Sequence, residues 1–277
     1  MDAVLGIDPA WTTRQPSGVA LLVHDDDRWR CRAVAPSYDG FQSLAHRIPV
    51  DWQLSPMGGV PEPGSILDAS EVLAPGTRIR VVAVDMPIAR SPFSSRRPAD
   101  DQASRLLGGF GCAVHSPSAT CPGGLSLQLS ERFALRGFQV HTTRALDCGQ
   151  RPLIEVYPHP AAMSLLGRDY RVPYKAAKTT RYSPNTSVEF RVGKLLEIWS
   201  DLLEALSQTI DEVDLPLPPV TSGIRLSHLK RFEDALDALI CAWVGTQFLE
   251  GRCHPLGDND AAIWVPTLLS VPELTGL

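Results

Sequence analysis

Hydrophobic residues in the first part of the chain follow the patterns of β-strands. Residues 3–8 and 17–24 are nearly continuous apolar runs, whereas residues 28–35 alternate between polar and apolar positions. An aspartate triplet at 25–27 separates the second run from the third. This arrangement predicts three consecutive strands that meander antiparallel to one another.

Three later segments are also predicted to be strands. Residues 79–87 and 151–157 are almost entirely apolar, the pattern of strands buried on both faces of a sheet. The short run at 262–266 is predicted to be a late edge strand.

Helical spacing of apolar residues, together with proline near the start and glycine after the end, marks the remaining elements. The predicted helical segments are 39–50, 67–74, 98–107, 124–137, 187–211 and 225–250. Segments 56–64 and 109–123 are rich in proline and glycine and are predicted to be loops. Strands first and helices later indicate an α/β sheet of mixed direction. We expect a single domain over residues 1–277, with a mainly helical insertion at about 158–220.

Composition and charge restrict the class of protein. The chain has 277 residues, 44% of them hydrophobic, and a net charge of −5. It contains no apolar run of the roughly 18 residues that a membrane helix needs, and it does not begin like a signal peptide. The six cysteines form no CxxC pair, which indicates reduced thiols. These features predict a cytoplasmic protein with no membrane partner.

One stretch of the chain is basic, although the chain as a whole has a negative net charge. Residues 168–194 contain seven lysine and arginine residues and only two acidic residues. Negative net charge argues mildly against a general nucleic-acid binder. The basic stretch suits an anionic substrate, and a solvated helix face is the alternative interpretation.

Three predicted strands place a carboxylate at or near their carboxyl ends. Asp8 and Asp85 are each followed closely by proline, and Glu155 lies near the end of segment 151–157. A single such aspartate is usually a turn former or a helix N-cap. Three together are more informative, because ligands bind at the carboxyl ends of strands in α/β sheets.

A second acidic group lies on the predicted helix 230–245. Asp234 and Asp237 are three residues apart and share one face, and the residues after them are apolar almost all round. Buried carboxylates are costly unless they are neutralised. A divalent cation shared with other carboxylates answers that cost, and oxygen ligands favour Mg²⁺ or Mn²⁺ over zinc.

Five motifs in this order carry a resemblance that covers roughly residues 3–250. They are GIDPAW with SGVALL, VAVDMPI, RPADDQASRLLG, IEVYPHPAA and EDALDALICAWVG. In these motifs the chain resembles domain-of-unknown-function family 429, regarded as predicted nucleases with an RNase H-like fold. It is distantly similar to RuvC-type resolvases, which belong to the same fold superfamily.

The resemblance implies a mixed five-stranded sheet with strand order 3-2-1-4-5, flanked by helices. It implies that Asp8 is the first-strand acid, that Asp85 is the fourth-strand acid and that Asp234 or Asp237 is the acid of the late helix. Glu155 matches an additional acidic position of the family. On this basis the catalytic residues are expected among these five acids, and the metal ligands are Asp8, Asp85, Asp234 and Asp237.

The same resemblance suggests residues that contact the substrate. Arg97 and Arg105 match the segment RPxD…R, and Lys175 matches a lysine that follows the EVYP motif. The expected reaction is hydrolysis of phosphodiester bonds in nucleic acid by two Mg²⁺ or Mn²⁺ ions, with Asp8 bridging them. Glu155 and His159 are candidates for proton transfer, and structural hydrogen bonding is the alternative role of His159.

Two other classes of function remain open. The fold also suits a binding or scaffold protein that does not catalyse a reaction. A phosphotransferase related to actin-like ATPases or sugar kinases would need glycine-rich phosphate turns, but Pro9 and Trp11 follow Asp8 here. Trp11 is expected either to stack on a base or to close over the core. The sequence leaves open DNA or RNA as substrate, and also the oligomeric state.

Overall fold

The computed structural model of the protein describes residues 1–220 and 224–267. Within these ranges, the strands are β1 (Asp2–Asp8), β2 (Gly18–Asp25), β3 (Arg28–Ala35), β4 (Arg78–Val84), β5 (Phe138–Val140), β6 (Arg151–Val156), β7 (Ile210–Asp211), β8 (Cys253–Gly257) and β9 (Ala262–Pro266). The α-helices are α1 (Tyr38–Ala45), α2 (Pro63–Leu73), α3 (Pro98–Leu107), α4 (Gly124–Ala134), α5 (Pro158–Leu166), α6 (Thr179–Tyr182), α7 (Val188–Ser207) and α8 (Leu226–Leu249).

All nine strands form one mixed sheet. Its order is β7-β3-β2-β1-β4-β6-β9-β8, with β5 paired to β6 off this path. The antiparallel pairs β1–β2 and β2–β3 confirm the predicted meander. β4 lies parallel to β1, β6 parallel to β4, and β9 parallel to β6. The carboxyl ends of β1, β4, β6 and β9 therefore meet at one edge of the sheet.

The expected count of five strands is wrong, and so is the order 3-2-1-4-5. β6 rather than β5 follows β4, and β7, β8 and β9 extend the sheet at its two ends. β5 and β7 have only three and two residues, too few for a periodic pattern to register. β9 is not an edge strand, because β8 pairs with its outer side. The sequence did not predict β8, because Pro255 lies within it and proline argues against a strand.

Several helix boundaries also differ from expectation. α3 confirms the predicted segment 98–107, whereas α1 ends at Ala45 and α4 at Ala134. α2 begins at Pro63, inside a segment predicted to be a loop. Proline is favoured in the first turn of a helix, so its presence there marked a helix start rather than a loop.

The sheet separates two hydrophobic layers, as the apolar central strands predicted. On β4, Val81 and Ala83 face the layer that contains α3, α5, α7 and α8, whereas Val82 and Val84 face the layer formed with α1, α2 and α4. Successive side chains of a strand point to opposite faces, so a strand covered on both sides needs apolar residues at every position.

Glycine residues allow α8 to lie unusually close to the sheet. A Cβ atom on Gly6 would overlap the carbonyl oxygen of Ala238, and one on Gly18 would overlap that of Asp234. On the helix side, a Cβ atom on Gly245 would press into Val4. These close approaches fix the depth and register of α8 against β1 and β2, and so the positions of its acidic residues.

The segment 158–220 contains α5, α6 and α7, and its last element, β7, pairs in parallel with β3. The extent of the single domain stays a prediction. In the described ranges, no helix combines the length and the apolar character that crossing a membrane requires.

Candidate functional site

Two of the predicted acids lie side by side at the carboxyl edge of the sheet. Asp8 is the last residue of β1, and Asp85 follows the last residue of β4. The two strands are parallel, with Ile7 opposite Val84, and the Asp85 amide donates to the Ile7 carbonyl at 3.0 Å. Both aspartates are half-buried. Strand pairing alone therefore brings these carboxylates together.

The acids of α8 join them from above the sheet. Burial, followed by the charge of Asp237, holds the pKa of Asp8 well above its ordinary value, and Asp234 and Asp85 contribute in the same direction. Burial also raises the pKa of Asp85 to about 7 and that of Asp234 to about 6. Four carboxylates thus share one region of low dielectric, where the charge of Asp237 disfavours the ionisation of Asp8, Asp85 and Asp234.

Two lysines partly neutralise this acidic group. Lys175 forms ion pairs with Asp237 and, at 3.8 Å, with Glu233. Lys230, one turn before Asp234 on α8, pairs with Asp234 and, at 3.1 Å, with Glu233. Burial opposes the charge of both lysines, but the neighbouring carboxylates outweigh it and raise the pKa of each. Both lysines therefore remain cationic at neutral pH.

Asp237 is the more enclosed of the two predicted α8 acids. It has no solvent exposure, and it accepts a hydrogen bond of 2.7 Å from the Tyr174 hydroxyl as well as its contact with Lys175. Asp234 instead lines the cavity described below. The structure thus assigns different surroundings to two residues that the sequence left equivalent.

Glu155 lies in a separate buried cluster, which we call the ion-pair clamp: Arg97, Asp100 and Glu155. The Arg97 guanidinium donates to both oxygens of Glu155 at 2.7 Å, and to Asp100 at 2.7 and 3.1 Å. Ile88 closes the cluster, because its amide donates to Glu155 at 2.9 Å and its carbonyl accepts from Arg97 at 2.7 Å. The clamp therefore fixes the loop that follows Asp85.

A cavity of about 1150 Å³ opens at this edge of the sheet. Its acidic floor consists of Asp8, Asp85 and Asp234. Seven lysine and arginine side chains also line it, among them Lys175 and Lys230. The other five come from the segment that follows α5, and they are Arg171, Lys178, Arg181, Arg191 and Lys194. A protein with negative net charge thus concentrates positive charge around this cavity.

The other predicted site residues are divided between the cavity lining and positions outside it. Lys175 lines the cavity, but Arg97 and Glu155 belong to the ion-pair clamp and Asp237 lies beneath the surface. Arg105 is exposed on α3 and is not part of the cavity lining. The structure thus gathers Asp8, Asp85, Asp234 and Lys175 around one space, together with the candidates His159 and Trp11, and leaves Arg97, Arg105, Glu155 and Asp237 outside its lining.

The chemistry of the acidic floor bears on the expected metal. In residues 1–220 and 224–267, no three His, Cys, Asp or Glu side chains are arranged to hold one ion. The α8 acids are already paired with lysines. Mg²⁺ commonly binds through only one or two carboxylates, with water and substrate oxygens completing its shell. Asp8 and Asp85, the two acids at the strand ends, are therefore the side chains that would hold such a cation.

Sequence reasoning missed several residues of this site. Lys230 and Glu233 precede Asp234 in the segment KRFED, and the spacing of Lys230 and Asp234, four residues apart on a helix, signalled an ion pair. Tyr174 precedes Lys175, but no local pattern indicated its bond to Asp237. Contacts between distant segments leave no trace in periodicity.

The fold and the site define a mixed α/β protein with a charged cavity at the carboxyl edge of its sheet. The sequence profile of the family described as Protein of unknown function (DUF429) matches residues 6–262, and the chain belongs to that family. No curated protein and no solved structure matches the chain.

Proposed function

We propose that this protein hydrolyses phosphodiester bonds of nucleic acid in the cavity, with Asp8 and Asp85 as the catalytic carboxylates. The observation that carries the proposal is the joining of an acidic floor and a cationic lining in one space. Phosphodiester chains are polyanions, so cationic side chains bind them, while closely spaced carboxylates hold the divalent ion that this chemistry uses.

The order of the elements supports an RNase H-like assignment. An antiparallel meander comes first, β4 lies parallel to β1, and acids follow from the ends of β1 and β4 and from the late helix α8. The wider sheet of nine strands keeps β1 in its interior. This arrangement supports the proposed class without specifying the substrate.

Each group near the floor has a defined part in the proposed reaction. A divalent cation, Mg²⁺ or Mn²⁺, would supply a Lewis acid for the phosphate and an activated water. Asp8 and Asp85 would hold it, and a bound cation would offset both the burial and the repulsion by neighbouring carboxylates that raise their pKa values. Lys175 and Lys230 hold the α8 carboxylates in place and limit the negative charge that an approaching phosphate meets.

Cleavage of fluorescent DNA and RNA oligonucleotides in Mg²⁺ or Mn²⁺ tests the proposal. We expect cleavage by the wild-type protein and a loss of about 100-fold or more in Asp8→Asn and Asp85→Asn, because the cation loses a ligand. Asp201→Asn is the matched control, since Asp201 is exposed on α7 and outside the cavity lining. Equal loss in the control would contradict the assignment.

A second function has one specific observation in its favour. The α8 acids are ion-paired with lysines, an arrangement that is stable without a cation. This favours a nucleic-acid-binding protein without hydrolytic activity. Binding of the same oligonucleotides, with no cleavage in either metal, would establish that alternative.

A further inference from the structure

Four cations of the cavity form a surface that we call the basic wall: Arg171, Lys178, Arg181 and Arg191. In the described part of the chain, none of them forms a salt bridge, whereas Lys194 beside them pairs with Glu197 at 2.7 Å. Arginines elsewhere, such as Arg96 and Arg136, pair with aspartates. The basic wall therefore retains its charge for a ligand, and that ligand must be anionic.

Unpartnered donors concentrate at the same place. The Nε atoms of Arg171 and Arg191 are buried and, among the described residues, have no hydrogen-bond partner. Buried donors usually find a partner, so these two arginines bring to the cavity lining donors that the described part of the chain does not occupy. Arginine in particular presents several donors to the oxygens of a phosphate.

His159 adds a third donor of this kind. Its Nε2 contacts the Arg171 guanidinium, which can only donate, so this nitrogen must accept. Burial, with the charges of Lys175 and Arg171, lowers the pKa of His159 well below its ordinary value, so the ring is neutral. The proton then lies on Nδ1, which is buried without a partner in the described structure. His159 orients Arg171 toward the cavity.

Aromatic side chains surround the mouth of the cavity. Trp11 comes three residues after Asp8 and lines the cavity, and the centroid of its ring lies 5.8 Å from that of His115. Tyr170 is 64% exposed, although it lines the same cavity. An exposed aromatic face beside a cationic groove, such as that of Tyr170, is the usual arrangement for stacking unpaired bases, whereas Trp11 is half-buried against the core. In a duplex the base faces are already stacked, so these rings would have no partner.

We propose that the cavity takes a single strand of nucleic acid, and that Arg171 and Arg191 bind a phosphate adjacent to the one at the acidic floor. The inference rests on the proposed function and names its substrate class. One phosphate lies at Asp8 and Asp85, its neighbour lies on the basic wall, and a base stacks at the mouth. An intact duplex offers no unstacked base to the mouth unless a nucleotide is first flipped out of the stack, which costs free energy.

The test uses the Asp8→Asn, Asp85→Asn double variant, which keeps the probe intact. Fluorescence anisotropy measures binding of a fluorescein-labelled single-stranded 12-mer and of a hairpin duplex of the same sequence. We expect the single strand to bind about tenfold more tightly than the duplex. Adding Arg191→Ala should weaken single-strand binding about tenfold and lower the salt slope by about one. Adding Arg136→Ala, a surface arginine distant from the cavity, should change it less than twofold.

Equal affinity for the two probes, or equal effects of Arg191→Ala and Arg136→Ala, would overturn the inference. The same experiments distinguish failure of this inference from failure of the proposed function. If wild-type protein cleaves oligonucleotides while Arg191→Ala leaves binding unchanged, the function stands and the basic wall is misassigned. If the single strand binds through Arg191 but wild-type protein cleaves nothing, the phosphate site stands and hydrolysis does not.

Discussion

Two charge clusters lie at one edge of the sheet, one between β6 and α3 and the other at the ends of β1 and β4 beneath α8, and only the first has its charges fully paired within the described residues. In the ion-pair clamp, Arg97 meets Asp100 and Glu155 through short hydrogen bonds, and all three residues are almost fully buried. At the acidic floor, Asp8 and Asp85 face an open cavity and repel one another and the α8 acids. A closed cluster stabilises the fold, whereas an open one retains charge for a ligand.

Breaking the clamp should produce the largest effect on stability. Arg97→Met leaves two buried carboxylates without their cation, and we expect the free energy of unfolding to fall by about 3–5 kcal/mol. Urea denaturation at neutral pH measures it. The matched control is Asp68→Asn, which removes an exposed ion pair with Arg136 and should change stability by less than about 1 kcal/mol. Similar losses in both variants would show that the clamp is not special.

Removing a lysine from the open cluster should have an intermediate effect. Among the described residues, Lys175→Met leaves Asp237 with the Tyr174 hydroxyl as its side-chain partner, and it removes a charge that also lowers the pKa of Asp85. We expect a loss of roughly 2–3 kcal/mol at pH 8 without divalent ions. Calorimetry in EDTA and then in excess Mg²⁺ checks the idea, since a cation should restore part of the loss. No difference between Lys175→Met and wild-type protein would contradict the ion pair.

Neutralising an acid of the floor should raise the free energy of unfolding rather than lower it. Burial raises the pKa of Asp85 from an ordinary value of 3.8 to about 7, so the folded state binds the proton more tightly than the unfolded state. The resulting stability is complete below about pH 4 and is lost as pH rises toward 7. In EDTA at pH 8, Asp85→Asn should therefore be more stable than wild-type protein by roughly 1–2 kcal/mol.

Thermal unfolding of both proteins between pH 4 and pH 8 measures this difference. The two curves should diverge as pH rises through that window. A constant difference across it would mean that Asp85 does not titrate as its surroundings indicate.

Local pattern was sufficient to predict much of the core. The apolar runs of β1, β4 and β6 identified the buried strands, because strands covered on both faces need apolar residues throughout. The strand count was wrong because β5 and β7, with three and two residues, carry no period, and because Pro255 argued against a strand at β8. The glycines that bring α8 onto the sheet were visible in the sequence, but their contacts were not.

In the site, as in the core, the sequence predicted positions along the elements but not the contacts between them. Parallel pairing of β1 and β4 necessarily places Asp8 beside Asp85, so their positions at strand ends were informative. Glu155 also ends a strand, but its oxygens are occupied by Arg97 and Ile88. Position along a strand therefore predicted which edge an acid occupies and not whether its charge is already paired.

The sequence by itself determined the central strands, the buried character of α8 and the concentration of acids at one edge of the sheet. Only the tertiary structure decided that Asp234 lines the cavity while Asp237 is enclosed, and that the Nε atoms of Arg171 and Arg191 lack a partner in the described part of the chain. The physical reason is that periodicity records which face of an element is buried. The partner of a buried charge is supplied by distant parts of the chain, and folding alone brings the two together.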